Sequence, residues 1–317
     1  MTESPKVVKP TLMLGEPSTF ACVITTFDES GAFDELAMAD HLGRIGRAGV
    51  GVYLGSSSPG EGYSLSLEET ERLYAVGVRT LRGVVQVRAM GVEPRSAAEM
   101  LKLVRLAERH ELDAMQLYCL DLGHSNRPSE AELERYFRDV LDEMRIPALL
   151  SSHIFGGYAI PIAMIGRLLN DYPFLIGINC TNPDLKYLTR VLEVAKGRAD
   201  VHVGGAMQAL TVLAMGGQGF LSSEANLAPE LCQAVIRGFR DRDMPLMFDS
   251  YDQLIRLFAA NQSATGSVRW TKAALKVIGR PGWTFRRPLL PLDDVEIDRV
   301  AAELAAIGIS EMTSSPR

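Results

Sequence analysis

The chain has 317 residues, of which 47% are hydrophobic and 23% charged, and its net charge at pH 7 is −6. This composition is typical of a globular protein with a large core and excludes disordered and fibrous classes. A pI near 5.5 without a Lys- or Arg-rich stretch argues against nucleic acid or an anionic membrane as partner, so we expect a small molecule. No apolar run reaches a membrane span of about 18 residues and no secretory signal pattern opens the chain, so we expect a cytoplasmic protein.

Eight short β-branched or apolar runs recur along the first 225 residues and predict β-strands. Most of the gaps between them hold an amphipathic segment with helical periodicity, which is the alternation of parallel β/α units. Eight such units predict a closed (β/α)8 TIM barrel. In chain order the runs are FACVIT, VGVYLG, VVQVR, DAMQLY, PALLS, LIGIN, DVHVG and QGFLS.

Capping residues mark several helix starts. Ser66, Ser96 and Ser129 each precede a glutamate by three residues, which is the Ser-x-x-Glu capping box. Asn182 is followed by Pro183, and this pair predicts a further start because the Asn side chain can accept from exposed backbone N–H groups while proline needs no acceptor there.

The Asn182 start follows the run LIGIN directly, so Asn179 and Cys180 are predicted at the carboxyl end of the sixth strand. In parallel barrels the βα loops at that end carry the active site, whereas the opposite end serves stability. These two residues are therefore well placed for function.

From about residue 228 the strand pattern stops and four helical segments follow: PELCQAVIRGFRD, PLMFDSYDQLIRLFAAN, VRWTKAALKVIG and DVEIDRVAAELAAIG. A helical C-terminal extension is therefore expected after the barrel. The predicted division is an N-terminal arm over residues 1–18, a barrel over 19–227, a helical domain over 228–310 and a tail over 311–317.

Four stretches together resemble one known family, in its order and at its spacing: VITTFDESGAFD, GVGVYLGSSSPGEGYSLSLEET, LAMGGQGFLSSEANLAPELC and TKAALKVIGRPGWTFRRPLLPL. This is the dihydrodipicolinate synthase and N-acetylneuraminate lyase family of class I aldolase-type barrels. The resemblance implies a (β/α)8 barrel, a helical C-terminal domain, lyase activity and a homo-oligomer, either a dimer or a tetramer.

The resemblance also implies a lysine that ends the sixth strand in a Gly-Ile-Lys motif and binds a 2-oxo acid such as pyruvate as a Schiff base. Residues 177–179 read Gly-Ile-Asn here, and an amide nitrogen cannot form an iminium. The family's Tyr-Asn-x-Pro after strand five is replaced by SSHI at 151–154, its tyrosine motif after strand four by CLDL at 119–122, and its Gly-Thr-Thr-Gly-Glu by SSPGE at 57–61. We interpret this combination as a repurposed site.

No lysine ends a predicted strand in place of the missing one. The chain has seven lysines: Lys6 and Lys9 in the arm, Lys102, Lys186 and Lys196 in outer helices, and Lys272 and Lys276 in the C-terminal extension. The four cysteines (Cys22, Cys119, Cys180 and Cys232) form no Cys-x-x-Cys pair, and no local spacing of metal-binding side chains stands out. We therefore predict neither a metal nor a cofactor.

Three groups are expected to bind substrate or move protons at the mouth. His153 follows the fifth strand and is the candidate general acid or base; a satisfied structural histidine is the alternative. Ser57 and Ser58, with nearby backbone N–H groups, could bind a carboxylate, or the loop could bond only to itself. Arg88, ending strand three, offers a fork for a carboxylate, or it could form a buried ion pair, perhaps with Glu61.

Four further residues complete the predicted site. Asn179 is expected to polarise a carbonyl or hydroxyl of the ligand. Cys180 could be a nucleophile if its pKa were lowered, although most such cysteines are merely packed. Asp121, with His124 in the same loop, could close over the site, and Ser151 at the end of strand five could contact substrate.

We therefore predict a lyase-type enzyme that dehydrates, decarboxylates or isomerises a small carboxylated or hydroxylated metabolite by proton transfer, without a Schiff base. A non-catalytic barrel that binds a metabolite or assembles with another enzyme is the alternative, since it also explains the missing lysine. A third possibility, a 2-oxo acid aldolase with a relocated lysine, requires an outer-helix or terminal lysine to reach the barrel axis.

Overall fold

The computed structural model describes residues 15–154, 156–262 and 267–309. Eight parallel strands in this part of the chain close into a barrel, in which each strand pairs with its sequence neighbours and the last pairs with the first. The predicted TIM barrel is confirmed. Its strands are β1 (Ser18–Cys22), β2 (Gly51–Leu54), β3 (Val87–Ala89), β4 (Ala114–Leu117), β5 (Ala148–His153), β6 (Leu175–Thr181), β7 (Asp200–Gly204) and β8 (Gly219–Ser222).

One helix follows each strand, and each of the first seven leads back to the next strand. These barrel helices are α1 (Glu35–Arg47), α2 (Leu67–Leu81), α3 (Ala97–Arg109), α4 (Glu130–Leu141), α5 (Ile162–Asp171), α6 (Leu185–Ala195), α7 (Ala209–Ala214) and α8 (Pro229–Asp241). Three more helices form the C-terminal part: α9 (Met244–Gln262), α10 (Ser267–Val277) and α11 (Asp294–Ile307). The domain limits stay a prediction; α8, which follows the predicted boundary at residue 228, completes the eighth β/α unit.

The capping residues act largely as the sequence indicates. Ser66 and Ser129 form reciprocal capping boxes with the glutamates three residues on. Ser96 accepts from the backbone N–H of Glu99, whose own carboxylate accepts instead from the N–H of Arg95. Three of the barrel helices therefore begin where the serines predict.

The helix start predicted at Asn182 is wrong by two residues. The α6 helix is capped by Asp184, whose carboxylate accepts from the N–H of Lys186. The Asn182 side chain instead accepts from the N–H of Asp184 at 2.9 Å. Asn182 therefore forms the turn before the helix, and a second capping residue downstream sets the true start.

Side chains alternate between the two faces of each strand and so divide the core in two. The outward-facing side chains pack against the helices in one large apolar layer. The barrel interior holds a smaller apolar cluster of Phe20, Tyr53, Met90, Tyr118 and Leu221. It also contains buried polar side chains, namely Arg88, Gln116, Asn179 and His202. The interior is thus partly polar below the carboxyl ends of the strands.

Asn226 lies in the loop after β8 and links that loop to the end of β1 and to α1. Its Oδ1 accepts from the backbone N–H of Ile24 at 3.0 Å and from His41 Nε2 at 2.9 Å. Its Nδ2 donates to the carbonyl oxygens of Cys22 and Ser223, both at 2.8 Å. Both polar atoms of the Asn226 side chain are thus hydrogen-bonded within the protein, so the role of this asparagine is structural.

The C-terminal helices are fixed to the barrel by a buried ion pair. Lys272 on α10 is fully buried and pairs with Glu61 in the loop after β2. Its Nζ also donates to the carbonyl of Thr284 at 2.8 Å and lies 4.7 Å from the Phe27 ring centre. The ion pair suggested between Arg88 and Glu61 is therefore corrected: the C-terminal part supplies the cation.

Two buried histidines make the fold sensitive to acid. Burial lowers the pKa of His41 and of His202 from 6.5 to about 3, helped by the charges of Arg44 and Arg88 respectively. The unfolded chain takes up these protons as the pH falls below 6.5, whereas the folded chain does not. The contribution of these two histidines to the free energy of unfolding should therefore be complete above pH 6.5. It should decrease toward pH 3 by about 1.4 kcal/mol per pH unit for each histidine.

Urea unfolding followed by circular dichroism across this pH range measures the loss. The His41→Gln variant keeps an N–H donor for Asn226 and should reduce the slope of stability against pH. The unaltered protein, measured alongside, serves as the reference for this slope. An unchanged slope in His41→Gln would contradict the assignment.

No helix in the described part of the chain is long and apolar enough to span a membrane.

Candidate active site

A cavity of about 520 Å³ opens at the carboxyl ends of the strands. This is the end at which TIM-barrel enzymes place their active sites. Every strand or the loop after it contributes to the wall. The lining residues are Cys22, Ser57, Ser58, Pro59, Met90, Glu93, Gln116, Tyr118, Ser151, His153, Asn179, Thr181, Gly204, Gly205, Leu221 and Ser223.

The structure brings five of the predicted site residues to this cavity: Ser57, Ser58, Ser151, His153 and Asn179. They come from the loop after β2 and from the ends of β5 and β6, which are far apart in the sequence. On β5, Ser151 and His153 face the same side because they are two residues apart. Position at a strand end therefore identifies residues that share one cavity.

The structure corrects the expected position of Arg88. Its side chain lies inside the barrel, buried, and does not line the cavity. Its guanidinium donates to the hydroxyl of Tyr53 at 2.9 Å and to Oε1 of Gln86 at 2.7 Å, and it lies 4.0 Å from the Phe20 ring centre. The β3 strand continues to Ala89, so Arg88 is not its last residue.

Cys180 and Asp121 also lie away from the cavity. Cys180 follows Asn179 in the strand, so its side chain points outward and packs in the helix-facing core. Burial raises the pKa of its thiol to about 12, so the nucleophilic thiolate is not formed at neutral pH. Asp121 is exposed and its carboxylate accepts from the N–H of Gly123, while His124 is exposed in the same loop.

The cavity contains a carboxylate that the sequence analysis missed. Glu93, in the loop after β3, has Oε1 3.5 Å from Nε2 of His153. Its other oxygen, Oε2, accepts from the hydroxyl of Ser57. An acidic residue shortly after a predicted strand is a usable signal, since βα loops converge at this end. The three residues form a continuous polar chain along one wall.

His153 is suited to act as a base in this setting. It is buried, and burial lowers the pKa of its imidazole below 6.5, although the nearby Glu93 carboxylate opposes that shift. Near neutral pH the ring is therefore mainly neutral and can accept a proton. The Tyr118 ring packs edge-on against it with centroids 5.4 Å apart, which helps to fix its orientation.

Asn179 is held at the cavity floor by two buried neighbours. Its Nδ2 donates to the Tyr53 hydroxyl at 3.0 Å and to Oε1 of Gln116. Its Oδ1 has no hydrogen-bond partner within the described part of the chain. At the position where the resemblance implies a reactive amine, the cavity thus presents an amide.

No lysine in the described part of the chain replaces that amine. Neither lysine nor arginine is among the described residues that line the cavity. Among the lysines that the structure describes, the fully buried one is Lys272, which is engaged by Glu61 and the Thr284 carbonyl. Lys6 and Lys9 lie outside the described residues. In residues 15–154, 156–262 and 267–309 no group of three His, Cys, Asp or Glu side chains is arranged as metal ligands.

Comparison with known proteins identifies the family. A family model of the dihydrodipicolinate synthetase family matches residues 17–307. The chain belongs to this family. The family resemblance seen in the four sequence motifs is thereby confirmed, and membership supports a lyase of the dihydrodipicolinate synthase type.

Known members of the dihydrodipicolinate synthetase family match over nearly their whole length. The chain is 26% identical over 293 residues to the 4-hydroxy-tetrahydrodipicolinate synthase of Maridesulfovibrio salexigens, covering 92% of this chain and 98% of that protein. It is 29% identical over 294 residues to the same enzyme of Hyphomonas neptunium, covering 91% and 97%. An uncharacterized DapA-like lyase of Thermococcus kodakarensis is 25% identical over 284 residues, covering 87% and 94%.

Solved structures of this family share the fold. YagE, a prophage protein of the dihydrodipicolinic acid synthase family from E. coli solved in complex with pyruvate, superposes with a TM-score of 0.85 at 24% identity, covering 92% of this chain and 99% of that one. A monomeric dihydrodipicolinate synthase variant has the same TM-score at 19% identity, covering 92% and 97%. This family member therefore keeps the scaffold while its cavity residues differ from the family motifs.

Proposed function

We propose that this member of the dihydrodipicolinate synthetase family is a lyase that acts by proton transfer without forming a lysine imine. The observation that carries the proposal is the position of His153 in the cavity, with its Nε2 3.5 Å from the Glu93 carboxylate. In the same cavity Asn179 lies where the family resemblance implies the imine-forming lysine. An acid–base pair is present where the usual nucleophile is missing.

In the proposed reaction, neutral His153 removes a proton from a substrate carbon next to a carbonyl group. The imidazolium formed in this step is stabilised by the negative charge of Glu93. Ser57 donates to the far oxygen of that carboxylate and keeps it turned toward His153. Dehydration and isomerisation can begin with this proton abstraction, whereas decarboxylation would use the opposite transfer, in which protonated His153 gives a proton to the carbon that has lost CO2.

The substrate is proposed to be a small molecule, and the active form a homo-oligomer as in many barrels of this family. Ser58 and Ser151, which line the wall beside His153, are proposed to contact the substrate. Arg88, Asp121 and Cys180 are left out of the proposed site because their side chains lie outside the cavity lining.

Hydrogen–deuterium exchange tests the proton transfer directly and needs no assay for a particular product. The protein is incubated in deuterated water with a panel of small hydroxy ketones and 2-oxo acids, and loss of carbon-bound protons is followed by NMR. The His153→Gln variant should lower the exchange rate by at least about a hundredfold, as removal of a general base does. The surface variant His110→Gln is the matched control and should exchange like the unaltered protein.

The pH profile of exchange adds a second readout. Because burial holds the pKa of His153 below its ordinary 6.5, the midpoint of the decline in exchange on acidification should lie below pH 6.5. If the unaltered protein exchanges no compound of the panel, the non-catalytic binding barrel becomes the better description. Borohydride reduction in the presence of pyruvate provides the complementary check, since a lysine adduct on the unaltered protein would restore imine chemistry.

A further inference from the structure

In the Asn179 side chain the amide nitrogen is fully hydrogen-bonded, whereas the amide oxygen is not. Its amide group has two N–H hydrogens, and its Nδ2 has two buried acceptors, the Tyr53 hydroxyl and the Gln116 carbonyl oxygen. Both donors are therefore consumed. Oδ1 is buried without a partner in the residues that the structure describes, and the residue lines the cavity. This side chain, at the floor of the cavity, thus has an unused acceptor and no unused donor.

A network below the floor holds the amide in this orientation. Arg88 donates to the Tyr53 oxygen at 2.9 Å, and its guanidinium is fixed in turn by Gln86 and by the Phe20 ring. On the other side, Oε1 of Gln116 accepts from Nδ2 of Asn179. Rotation of the amide would place its oxygen against the Gln116 oxygen, so the orientation is maintained.

The rest of the cavity is unsuited to a substrate carboxylate at this depth. Among the described lining residues the one charged side chain is Glu93, which is acidic. The Ser57 hydroxyl already donates to Glu93. Arg88 lies behind the floor without lining the cavity, and its guanidinium is bonded to Tyr53 and Gln86. A carboxylate in the cavity would meet the like charge of Glu93 and an acceptor from Asn179, whereas a hydroxyl group could donate to either.

We propose that Asn179 is a specificity-determining hydrogen-bond acceptor for a substrate hydroxyl, and that Tyr53 and Arg88 are the positioning residues that fix it. The substrate class is then a neutral hydroxylated carbonyl compound and not a 2-oxo acid. This inference deepens the proposed function and rests on it for the chemical step. It also revises the expectation that Asn179 polarises a carbonyl, because that role requires a free N–H.

Two three-carbon probes distinguish the substrate classes. Dihydroxyacetone is a neutral ketone with two hydroxyl donors, whereas pyruvate is a ketone with a carboxylate. Ligand-observed NMR titration of the unaltered protein should give tighter binding of dihydroxyacetone than of pyruvate. Failure to bind dihydroxyacetone, or tighter binding of pyruvate, would overturn the inference.

The Tyr53→Phe variant tests the positioning role. It removes one acceptor of the Asn179 amide, so that the whole amide group can rotate and present an N–H to the ligand. The preference for dihydroxyacetone over pyruvate should therefore fall about fivefold, the worth of one hydrogen bond. Tyr187→Phe is the matched control. It also loses a tyrosine hydroxyl that bonds to protein groups, Ser152 and the Ile160 carbonyl, but outside the cavity, and should leave the preference unchanged.

If Tyr53→Phe does not fold, as judged by circular dichroism, Gln116→Met frees the other amide hydrogen and should lower the preference in the same direction. An unchanged preference in the folded variants would overturn the positioning role. The two proposals can fail separately. Preferential binding of dihydroxyacetone without proton exchange leaves this inference standing and removes the proposed function, whereas exchange confined to 2-oxo acids does the reverse.

Discussion

Replacing Lys272 with methionine is expected to destabilise the folded protein by about 3–5 kcal/mol, the usual cost of removing one partner of a buried ion pair. The lysine is fully buried and Glu61 is almost so, which leaves Glu61 without its cation in the variant. Burial raises the pKa of Glu61 and lowers that of Lys272, so each charge depends on the other to remain ionised. Equilibrium unfolding in urea measures the loss.

A neighbouring lysine supplies the control for this prediction. Lys276 lies one turn further along α10, is partly exposed and contacts the Trp283 ring at 4.5 Å from its centre. Lys276→Met should therefore cost about 1 kcal/mol or less. The double variant Glu61→Gln/Lys272→Met removes both charges and should recover part of the loss, because no unpaired charge remains. A Lys272→Met variant as stable as Lys276→Met would contradict the assignment of this ion pair as a main connection between barrel and C-terminal helices.

The barrel could be predicted from the sequence because its signals are local. Each strand is a short apolar run followed by a helix, and a capping side chain marks the start of several of these helices, as at Ser66 and Ser129. The start at Asn182 failed for a local reason as well. Two capping residues, Asn182 and Asp184, lie close together, and sequence alone does not say which caps the helix and which forms the turn.

The candidate site could be predicted only in part, because side-chain direction depends on the strand's position in the sheet. Asn179 and His153 can be found from strand ends alone. Cys180 could have been excluded, since it is adjacent to Asn179 in a strand and must point the other way. Arg88 could not, because the run VVQVR does not reveal that the strand continues one residue further. The Glu93 contact to His153 and the Lys272 contact to Glu61 join distant parts of the chain, which no local pattern encodes.

Returning a lysine to the sixth strand should return imine chemistry to this barrel. In Asn179→Lys the amine would lie beside the Tyr53 hydroxyl and near the buried Arg88 guanidinium, with no carboxylate in the groups that now contact Asn179. Burial and the like charge of Arg88 would lower the pKa of the introduced lysine, so a useful fraction would be the neutral nucleophile near pH 7. Borohydride with excess pyruvate should then trap a reduced pyruvyl adduct on residue 179, identified by intact mass and peptide mapping.

The adduct should form slowly, because the proton-shuttling tyrosine implied by the family motif is replaced by Ser151 and the cavity lacks a described cation for the pyruvate carboxylate. Asn179→Met controls for side-chain size without an amine and should give no adduct, like the unaltered protein. Absence of an adduct in a folded Asn179→Lys variant would mean that the cavity itself, and not the missing amine alone, rejects 2-oxo acids. Such a result would assign the rejection of 2-oxo acids to surrounding residues such as Glu93, Gln116 and Ser57, whereas trapping would assign the lack of imine formation to residue 179.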